Sequence, residues 1–227
     1  MTQLSDSALA EALALFGRLS TATISDAMDT LGVPAGCPGI NALVPNARTV
    51  GVAYTVQYAP VEPGGAGGKA PDYLEEAPAG SVIVLANRGR TDCTAWGDLL
   101  SRYAQLRGIV GTVVDGAARD LDAIRLLGYP VFARTAFMMS GKNRNRMVAR
   151  QVPIEIGGRA CAPGDVICAD GSGVVVVPRA RLAQAVELAR RIDDAETAIR
   201  EDLERGVSLA ESRARHRYHE FGWKGQP

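Results

Sequence analysis

The centre of the chain alternates short apolar runs with amphipathic segments, and this alternation limits the possible folds more than any other feature. Residues 81–86, 109–114 and 130–134 are the apolar runs, with the length and composition of strands buried on both faces. Residues 96–107 and 120–127 have helical patterns, and a glycine follows each of them, as is common at helix ends. The order strand, helix, strand, helix, strand predicts a parallel sheet covered by helices, which is the α/β class.

The regions on either side extend this core in different ways. Residues 7–18 and 24–31 predict two N-terminal helices, and residues 49–58 predict a first strand. Residues 152–177 are rich in strand and turn signals, and residues 182–205 have the pattern of one long helix. We therefore expect a single domain over residues 1–227, with N-terminal helices in 1–32, a core in 48–178 and a C-terminal helical extension in 180–227.

The composition narrows the partners that the chain is expected to bind. The 25 basic and 25 acidic residues give a neutral chain, which offers no electrostatic reason to expect nucleic acid or a membrane surface as partner. No apolar run approaches the roughly 18 residues of a membrane-spanning helix, and residues 1–7 do not look like a secretory signal. The four cysteines form no CxxC pair and are expected to be small apolar side chains of a cytoplasmic protein.

The scarcity of lysine and histidine limits the chemistry that the chain can perform. None of the three lysines has the apolar neighbours that a Schiff-base lysine needs, and the two histidines lie near the C-terminus. The glycine-rich stretch 63–69 does not complete a phosphate-binding loop, because Ala70 follows the lysine in place of serine or threonine. This stretch is expected to be a flexible loop. Carboxylates, arginine, a metal ion and water are therefore the expected chemical groups.

Two segments, residues 95–100 and 114–120, place polar side chains at the start of a predicted helix. In an open parallel sheet, such connections lie at the carboxyl ends of the strands, where ligands bind. The N–H groups at a helix start are free of partners inside the helix and favour anions. The amides of Leu99 and Leu100 are therefore expected to stabilise a substrate carboxylate.

Three residues in these segments have a characteristic spacing: Asp98 is followed, after twenty intervening residues, by Arg119 and Asp120. Taken alone, an aspartate at a helix start is a common cap, and an adjacent arginine is often a solvated charge. The pattern resembles the D-x20-R-D signature of the class II 4-hydroxy-4-methyl-2-oxoglutarate / 4-carboxy-4-hydroxy-2-oxoadipate aldolases, relatives of the regulator of ribonuclease activity A. Further segments resemble this family in the same order, within about residues 8–205: residues 23–32, 51–56, 97–100, 111–120 and 163–178.

This resemblance implies the swivelling β/β/α fold and assembly into homotrimers or homohexamers, with active sites at subunit interfaces. It implies Mg²⁺ or Mn²⁺ as cofactor, with Asp120 as the direct ligand and Asp98 holding a metal-bound water. A carboxylate together with several waters suits a hard divalent cation. Arg119 would bind the keto oxygen and the carboxylate of a pyruvyl group. The other substrate-binding positions that it implies are Gly97, Leu99 and Leu100.

The family also uses a glutamate from the C-terminal helix of a neighbouring subunit, and the long predicted helix offers a candidate. Its apolar stripe consists of Leu182, Val186, Ala189, Ile199 and Leu203. Glu196 falls near the middle of this stripe, where an acid is costly unless it is paired or close to a metal. The structural alternative is that Glu196 is a partly exposed glutamate at the edge of an interface. Asp193 lies at a similar angle around the helix and is the rival acid.

The activity that the resemblance implies is that of a metal-dependent lyase. Its small-molecule partner would be a 4-hydroxy-2-oxo acid, cleaved to pyruvate and a second oxo acid by way of a metal-bound enolate, with accompanying oxaloacetate decarboxylase activity. The alternative is a non-catalytic binding protein like the ribonuclease regulators, whose chains are shorter and lack a long C-terminal helix. A methyltransferase is disfavoured, because no glycine-rich strand-to-helix turn suits S-adenosylmethionine.

Three segments match nothing in the family pattern: residues 138–150, the glycine-rich stretch 63–69 and residues 216–223 of the tail at 208–227. In the first of them, Lys142, Arg144 and Arg146 are candidates for contact with a distal carboxylate of the substrate. A solvated loop is the alternative. The part of the substrate beyond its pyruvyl half is therefore left open by the sequence.

Overall fold

The computed structural model describes residues 5–62 and 72–222, and the chain divides into two compact units. The sheet unit is Gly36–Arg179, and the helical unit combines Met1–Ala35 with Ala180–Pro227. The glycine-rich stretch 63–69 lies outside the described residues. No described helix is both long enough and apolar enough to span a membrane. The single domain expected from the sequence stays a prediction.

Helices and strands alternate through the centre of the described chain. The helices are α1 (Asp6–Phe16), α2 (Thr21–Thr30), α3 (Tyr73–Glu76), α4 (Asp98–Leu106), α5 (Leu121–Leu127), α6 (Leu182–Glu204) and α7 (Leu209–Arg215). The strands are β1 (Asn41–Ala42), β2 (Thr49–Pro60), β3 (Ser81–Trp96), β4 (Gly111–Ala118), β5 (Val131–Ala136), β6 (Asn145–Arg150), β7 (Ile154–Ile156), β8 (Arg159–Cys161), β9 (Val166–Asp170) and β10 (Gly173–Val177). Short 3₁₀ turns occupy Arg179–Arg181 and Tyr218–Glu220.

An eight-stranded sheet dominates the sheet unit, in the order β1-β5-β4-β3-β2-β9-β10, with β6 paired to β2. The four central strands β2, β3, β4 and β5 are parallel, whereas β6, β9 and β10 pair in antiparallel fashion. The apolar runs predicted as strands overlap β3, β4 and β5. The expected α/β class, with N-terminal helices, a central sheet and a long C-terminal helix, is therefore confirmed.

The central strands are buried on both faces, which explains their unbroken apolar sequence. Every residue of β4 is buried, and so is the first half of β3, from Ser81 to Asn87. Gly111 begins β4 so close to β2 that a Cβ atom there would lie 2.6 Å from Oγ1 of Thr49. Close packing of this kind resists deformation, so the central strands form a rigid base for the connections that join them.

Strand β3 is longer than its apolar run predicts, because it continues through a bulged stretch to Trp96. Its register on β4 shifts between Ala86 and Arg90, and shifts twice more before Trp96 pairs with Ala118. The prediction that a helix begins at Trp96 is therefore wrong by two residues, since α4 begins at Asp98. Bulges insert unpaired residues and re-aim a strand without ending it.

The connection from β4 to α5 contains a strained residue. Asp120 precedes α5 with φ 58° and ψ 36°, in the left-handed region that favours glycine. Its side chain makes no hydrogen bond that caps the helix, so capping does not account for this aspartate. A non-glycine residue in this region costs about 1–2 kcal/mol, and such strain is concentrated at functional sites.

The helical unit contains α1, α2, α6 and α7, and its apolar stripe differs from the predicted one at the C-terminal end of α6. Leu182, Ala189 and Ile199 are buried as predicted, but Leu203 is 41% exposed. The buried position at that end belongs to Asp202, which is 2% exposed. An acidic residue faces inward there because it has several polar partners.

The Asp202 carboxylate connects the end of α6 to α7. It accepts hydrogen bonds from Arg205 at 2.6 Å, from Ser212 at 2.9 Å and from Arg215 at 3.2 Å, and its Oδ2 lies 2.9 Å from Nε2 of His216. The hydrogen bond from Arg205, followed by the one from His216, holds the pKa of Asp202 well below its usual range. The ionised carboxylate therefore stabilises the folded helical unit.

We predict that Asp202→Asn lowers the melting temperature by several degrees at neutral pH, because Arg205, Arg215 and His216 lose the buried charge that they share. Since folding depresses the pKa of Asp202, its contribution is complete above the ordinary value of 3.8 and is lost as the pH falls below it. Thermal unfolding followed by circular dichroism from pH 7 to pH 3 should show the gap between wild type and variant narrowing. Glu204→Gln, an exposed neighbour on α6, is the control, and a gap that stays constant with pH would contradict the prediction.

We also predict that the backbone strain at Asp120 can be separated from its side chain. Asp120→Gly should unfold at higher denaturant concentration than Asp120→Ala, by about 1 kcal/mol, because glycine adopts the left-handed conformation without the steric cost. Urea unfolding of the two variants measures the difference. Equal stability of the two would mean that the left-handed backbone at this position carries no strain.

Candidate functional site

A cleft of about 470 Å³ opens in the sheet unit at the ends of β3 and β4. Its lining residues come from the end of β3 with the start of α4, from the β4–α5 connection, from residues 140–147, and from Tyr58 on β2. This is the carboxyl edge of the parallel strands, where ligands bind in open α/β sheets. The position of the cleft therefore agrees with the one expected from the sequence.

Six of the predicted site residues line this cleft: Gly97, Asp98, Leu99, Leu100, Arg119 and Asp120. The backbone explains why residues some twenty positions apart meet there. Trp96 pairs with Ala118 at the last rung of the β3–β4 ladder, and the Arg119 N–H donates to the Trp96 carbonyl at 3.0 Å. The two connections therefore leave the sheet side by side, each carrying one aspartate into the cleft.

The carboxylate of Asp120 is oriented by two donors. Its Oδ2 lies 3.2 Å from Nε of Arg119 and accepts a hydrogen bond from the Asp98 N–H at 3.5 Å. A Cβ atom at Gly97 would lie 2.7 Å from the same oxygen, so a larger residue at position 97 would displace the carboxylate. Gly97 is thus required by the close approach of Asp120.

The same two aspartates fit a hard divalent cation. Oδ1 of Asp98 accepts the N–H of Leu99 at 2.8 Å. The second oxygen of Asp98 and Oδ1 of Asp120 have no hydrogen-bond partner among residues 5–62 and 72–222. No cluster of three acidic, histidine or cysteine side chains suited to a metal occurs in this part of the chain. One or two carboxylates completed by water is the arrangement that Mg²⁺ commonly takes, so the donor set fits such an ion.

The start of α4 supplies amide donors beside these carboxylates. Leu99 exposes 79% of its surface, so its position at the cleft is explained by its backbone more than by apolar packing. Its N–H is occupied by Asp98 in this conformation, and the N–H of Leu100 has no acceptor inside the helix. An anion at this helix start would receive the Leu100 N–H directly, and that of Leu99 once Asp98 turns away.

Residues 140–147 form the opposite wall, which the sequence left open between a substrate contact and a solvated loop. Asn145 is buried and donates from Nδ2 to the Thr94 carbonyl at 3.3 Å. A Cβ atom at Gly141 would overlap that same carbonyl, so the segment lies directly against β3. Sequence reasoning missed Asn145 and Tyr58, and only strand pairing between β2 and β6 brings them to the cleft.

Glu196 lies in the helical unit, where three side chains surround its carboxylate. It accepts hydrogen bonds from Tyr218 at 2.8 Å and from Thr23 at 3.5 Å, and it lies 3.7 Å from Arg200. Its side chain is 24% exposed, against 42% for the rival Asp193. Burial, and then the hydrogen bond to Glu196, raises the pKa of Tyr218 to about 12. Glu196 is thus the more enclosed and better oriented of the two acids.

Comparison with known proteins places the chain in a family. The RraA-like family model, described as Aldolase/RraA, matches residues 21–176. Protein DlpA of Legionella pneumophila is 42% identical over 207 residues, which are 91% of this chain. The chain spans 34% of the length of DlpA. A Halalkalibacterium halodurans protein, by name a candidate 4-hydroxy-4-methyl-2-oxoglutarate aldolase, is 36% identical over 178 residues, covering 78% of this chain and 80% of that protein.

Solved structures show the same relationship. An uncharacterized protein of Pseudomonas syringae pv. tomato superposes with a TM-score of 0.85 at 44% identity, over 94% of this chain and all of the other. RraAS2 of Streptomyces coelicolor, titled an unusual member of the RNase ES inhibitor RraA protein family, has a TM-score of 0.76 at 29% identity, over 87% of this chain and 97% of its own. On the extent of the family match and of these similarities, the chain belongs to the RraA-like family.

Proposed function

We propose that the protein is a divalent-metal-dependent lyase that cleaves a 4-hydroxy-2-oxo acid into pyruvate and a second oxo acid. The observation that carries the proposal is the pair of aspartates in one cleft, with an arginine and a backbone N–H orienting one of them. The name of the Halalkalibacterium halodurans relative, a candidate aldolase for such a substrate, supports it.

The pyruvyl half of the substrate would be bound by Arg119 and by the start of α4. The Arg119 side chain is 35% exposed and lines the cleft, so its guanidinium can donate to the keto oxygen while Nε stays on Asp120. The substrate carboxylate would take the amides of Leu99 and Leu100, with Gly97 leaving room for the approach. These contacts would hold the reacting bond in one orientation.

Mg²⁺ or Mn²⁺ would be held by Asp120, with Asp98 contacting it through water. When bound, such an ion polarises a carbonyl oxygen and lowers the pKa of a coordinated water. Arg119 lies beside the Asp120 carboxylate, so its positive charge is available to the same keto oxygen.

Cleavage requires the C4 hydroxyl to lose its proton while the bond between C3 and C4 breaks. Asp98 is the base that we propose, because its carboxylate has an oxygen without a partner at the cleft. The electron pair of the broken bond passes into the pyruvyl half, where Arg119 stabilises the negative charge on its oxygen. Proton return to C3 then gives pyruvate. Loss of CO₂ from oxaloacetate leaves the same electron pair, so decarboxylation should accompany cleavage.

The acid that returns the proton is proposed to be Glu196 of a neighbouring subunit in a homotrimer or homohexamer. Its support within the chain is its enclosure by Tyr218 and Thr23, which would fix the direction of the carboxylate.

The similarity to RraAS2, titled a member of an RNase inhibitor family, favours a second candidate function, a ribonuclease-binding protein without catalysis.

We predict that Asp120→Asn reduces pyruvate release from 4-hydroxy-4-methyl-2-oxoglutarate and from oxaloacetate by at least about a hundredfold, because the metal ligand loses its charge. Pyruvate is measured with a coupled lactate dehydrogenase assay containing Mg²⁺ or Mn²⁺. The matched control is Asp122→Asn, a fully exposed aspartate on α5. EDTA should abolish wild-type turnover, and readdition of Mn²⁺ should restore it.

Two results would argue against this function. Turnover that persists in EDTA would remove the metal from the proposal. Wild-type protein that releases no pyruvate from any 4-hydroxy-2-oxo acid, but co-purifies with an endoribonuclease, would favour the ribonuclease-binding function instead.

We also predict that two inactive variants restore activity when they are assembled together. Glu196→Gln and Asp120→Asn should each be inactive, but mixed subunits should recover about a quarter of wild-type activity, because some sites then combine an intact Asp120 with an intact neighbouring Glu196. Unfolding, mixing and refolding followed by the pyruvate assay measures this recovery. The parallel mixture with Asp193→Asn tests the rival acid, and no recovery with either acid would place the acid within the same subunit or elsewhere.

A further inference from the structure

The described part of the tail, residues 208–222, folds back along the helical unit, and apolar packing does not account for this path. Helix α7 contributes one buried residue, Ser212, and Leu209 at its start is 51% exposed. A segment that buries so little apolar surface gains little free energy from the hydrophobic effect. Polar contacts therefore have to account for its position.

Two of these polar contacts fix the tail near its ends. Asp202 holds α7 through the hydrogen bonds that its buried carboxylate accepts. At the other end, the N–H of Gly222 donates to Oγ1 of Thr30 on α2 at 2.9 Å. The residues between these points are thus held against both α6 and α2.

Between the two fixed points, the chain turns so that Tyr218 contacts α6. Arg217 has φ 53°, in the left-handed region, and the 3₁₀ turn Tyr218–Glu220 follows it. A non-glycine residue keeps such a conformation only where the surrounding structure requires it. The phenol of Tyr218 then donates a hydrogen bond to Oε1 of Glu196 at 2.8 Å. The turn therefore brings a donor from the tail to the carboxylate that we propose as the acid.

The hydrogen bond from Tyr218 is the shortest contact on the Glu196 carboxylate. Thr23 donates to Oε2 at 3.5 Å, which is long for a hydrogen bond, and its hydroxyl also lies 2.9 Å from that of Ser20. Arg200 lies 3.7 Å away and is 59% exposed, so water screens its charge. A hydroxyl that donates to a carboxylate makes a stronger bond than one between neutral groups. Tyr218 thus does most to fix the direction of this carboxylate.

The ring of Tyr218 is itself held in place. The guanidinium carbon of Arg213 lies 5.0 Å from the centre of the ring, and the Phe221 ring meets it edge to face at 6.3 Å. Burial, followed by the hydrogen bond to Glu196, raises the pKa of Tyr218 to about 12. The phenol therefore keeps its proton at neutral pH and remains a donor.

Neighbouring acids make such a donor necessary. Burial raises the pKa of Asp26 on α2, and the negative charges of Glu196 and Asp29 raise it further, so these acids lie within reach of one another's charge. On α6, Asp193 shares Arg200 with Glu196. Repulsion from like charges would turn the Glu196 carboxylate away, and the hydrogen bond from Tyr218 opposes that movement.

We propose that Tyr218 is a positioning residue that holds the carboxylate of Glu196 in the direction from which it returns the proton at the neighbouring subunit's cleft. The inference rests on the proposed function, to which it adds a residue from a segment that the family pattern does not match. Tyr218 would act through Glu196 and would not touch the substrate. The tail would then be a part of the active site that one subunit supplies to the next.

The kinetic test uses Tyr218→Phe, which removes the donor and keeps the ring. Its kcat for pyruvate release should fall about tenfold with KM within about twofold of wild type, because the lost hydrogen bond orients the acid and does not bind substrate. Exchange of the pyruvate C3 protons for deuterium, followed by proton NMR in D₂O, should slow by a similar factor, since it uses the same proton return. Tyr103→Phe, which removes the same atom from a partly exposed tyrosine on α4, should change neither rate.

A second measurement needs neither metal nor turnover. The ¹³Cζ NMR signal of Tyr218, assigned by its loss in Tyr218→Phe, reports whether the phenol donates to a charged acceptor. Glu196→Gln should shift this signal toward that of an exposed tyrosine, whereas Asp193→Asn should leave it unchanged. The charges of Asp26 and Arg213, which also face Tyr218, are the same in both variants.

Three results would overturn the inference: a Tyr218→Phe variant with wild-type kcat, a loss of kcat that thermal unfolding traces to a smaller folded fraction, or an NMR signal that does not respond to Glu196→Gln. If the wild type neither releases pyruvate nor exchanges its protons, the proposed function fails. An NMR shift that follows Glu196 would still identify Tyr218 as the residue that orients this acid.

Discussion

The hydrogen bond from the Arg119 N–H to the Trp96 carbonyl is the contact on which the cleft depends. It extends the pairing of β3 with β4 by one residue beyond Ala118, and it sets Gly97 beside Asp120. Without the bulged continuation of β3, the strand would end near Ala86, and the start of α4 would lie far along the chain from this edge. The two aspartates meet because backbone geometry brings them together, and the Asp98 N–H then donates to the Asp120 carboxylate.

Strong local signals in the sequence predicted the central strands. Weaker signals did not predict the second half of β3 or the buried face at the end of α6. The unbroken apolar runs identified β3, β4 and β5, because strands buried on both faces exclude polar residues. The second half of β3 was missed, since its polar and partly exposed residues 88–92 have no periodic pattern. On α6, Asp202 took the buried position predicted for Leu203, because partners from α7 made an inward charge favourable. The periodic pattern of a single helix does not predict such partners from another helix.

One wall of the candidate site was predicted from the sequence and the other was not, for a similar reason. Gly97, Asp98, Arg119 and Asp120 belong to two local motifs, so their spacing pointed to one cleft before the fold was known. The wall formed by residues 140–147 is brought there by pairing of β6 with β2, a contact between strands that are far apart in sequence. No local pattern reports such pairing. The placement of this wall at the cleft could therefore not be predicted from local sequence.

The attachment of both walls to one strand has an evolutionary consequence. Thr94 holds the 140–147 segment and Trp96 holds the Arg119 connection, so the width between the walls is set by two nearby peptide groups of β3. Residues on the far wall can then diverge among relatives without moving the aspartates, provided that the contacts of Gly141 and Asn145 with Thr94 persist. In a scaffold of this kind, ligand specificity can change during evolution while the positions of the two aspartates are kept.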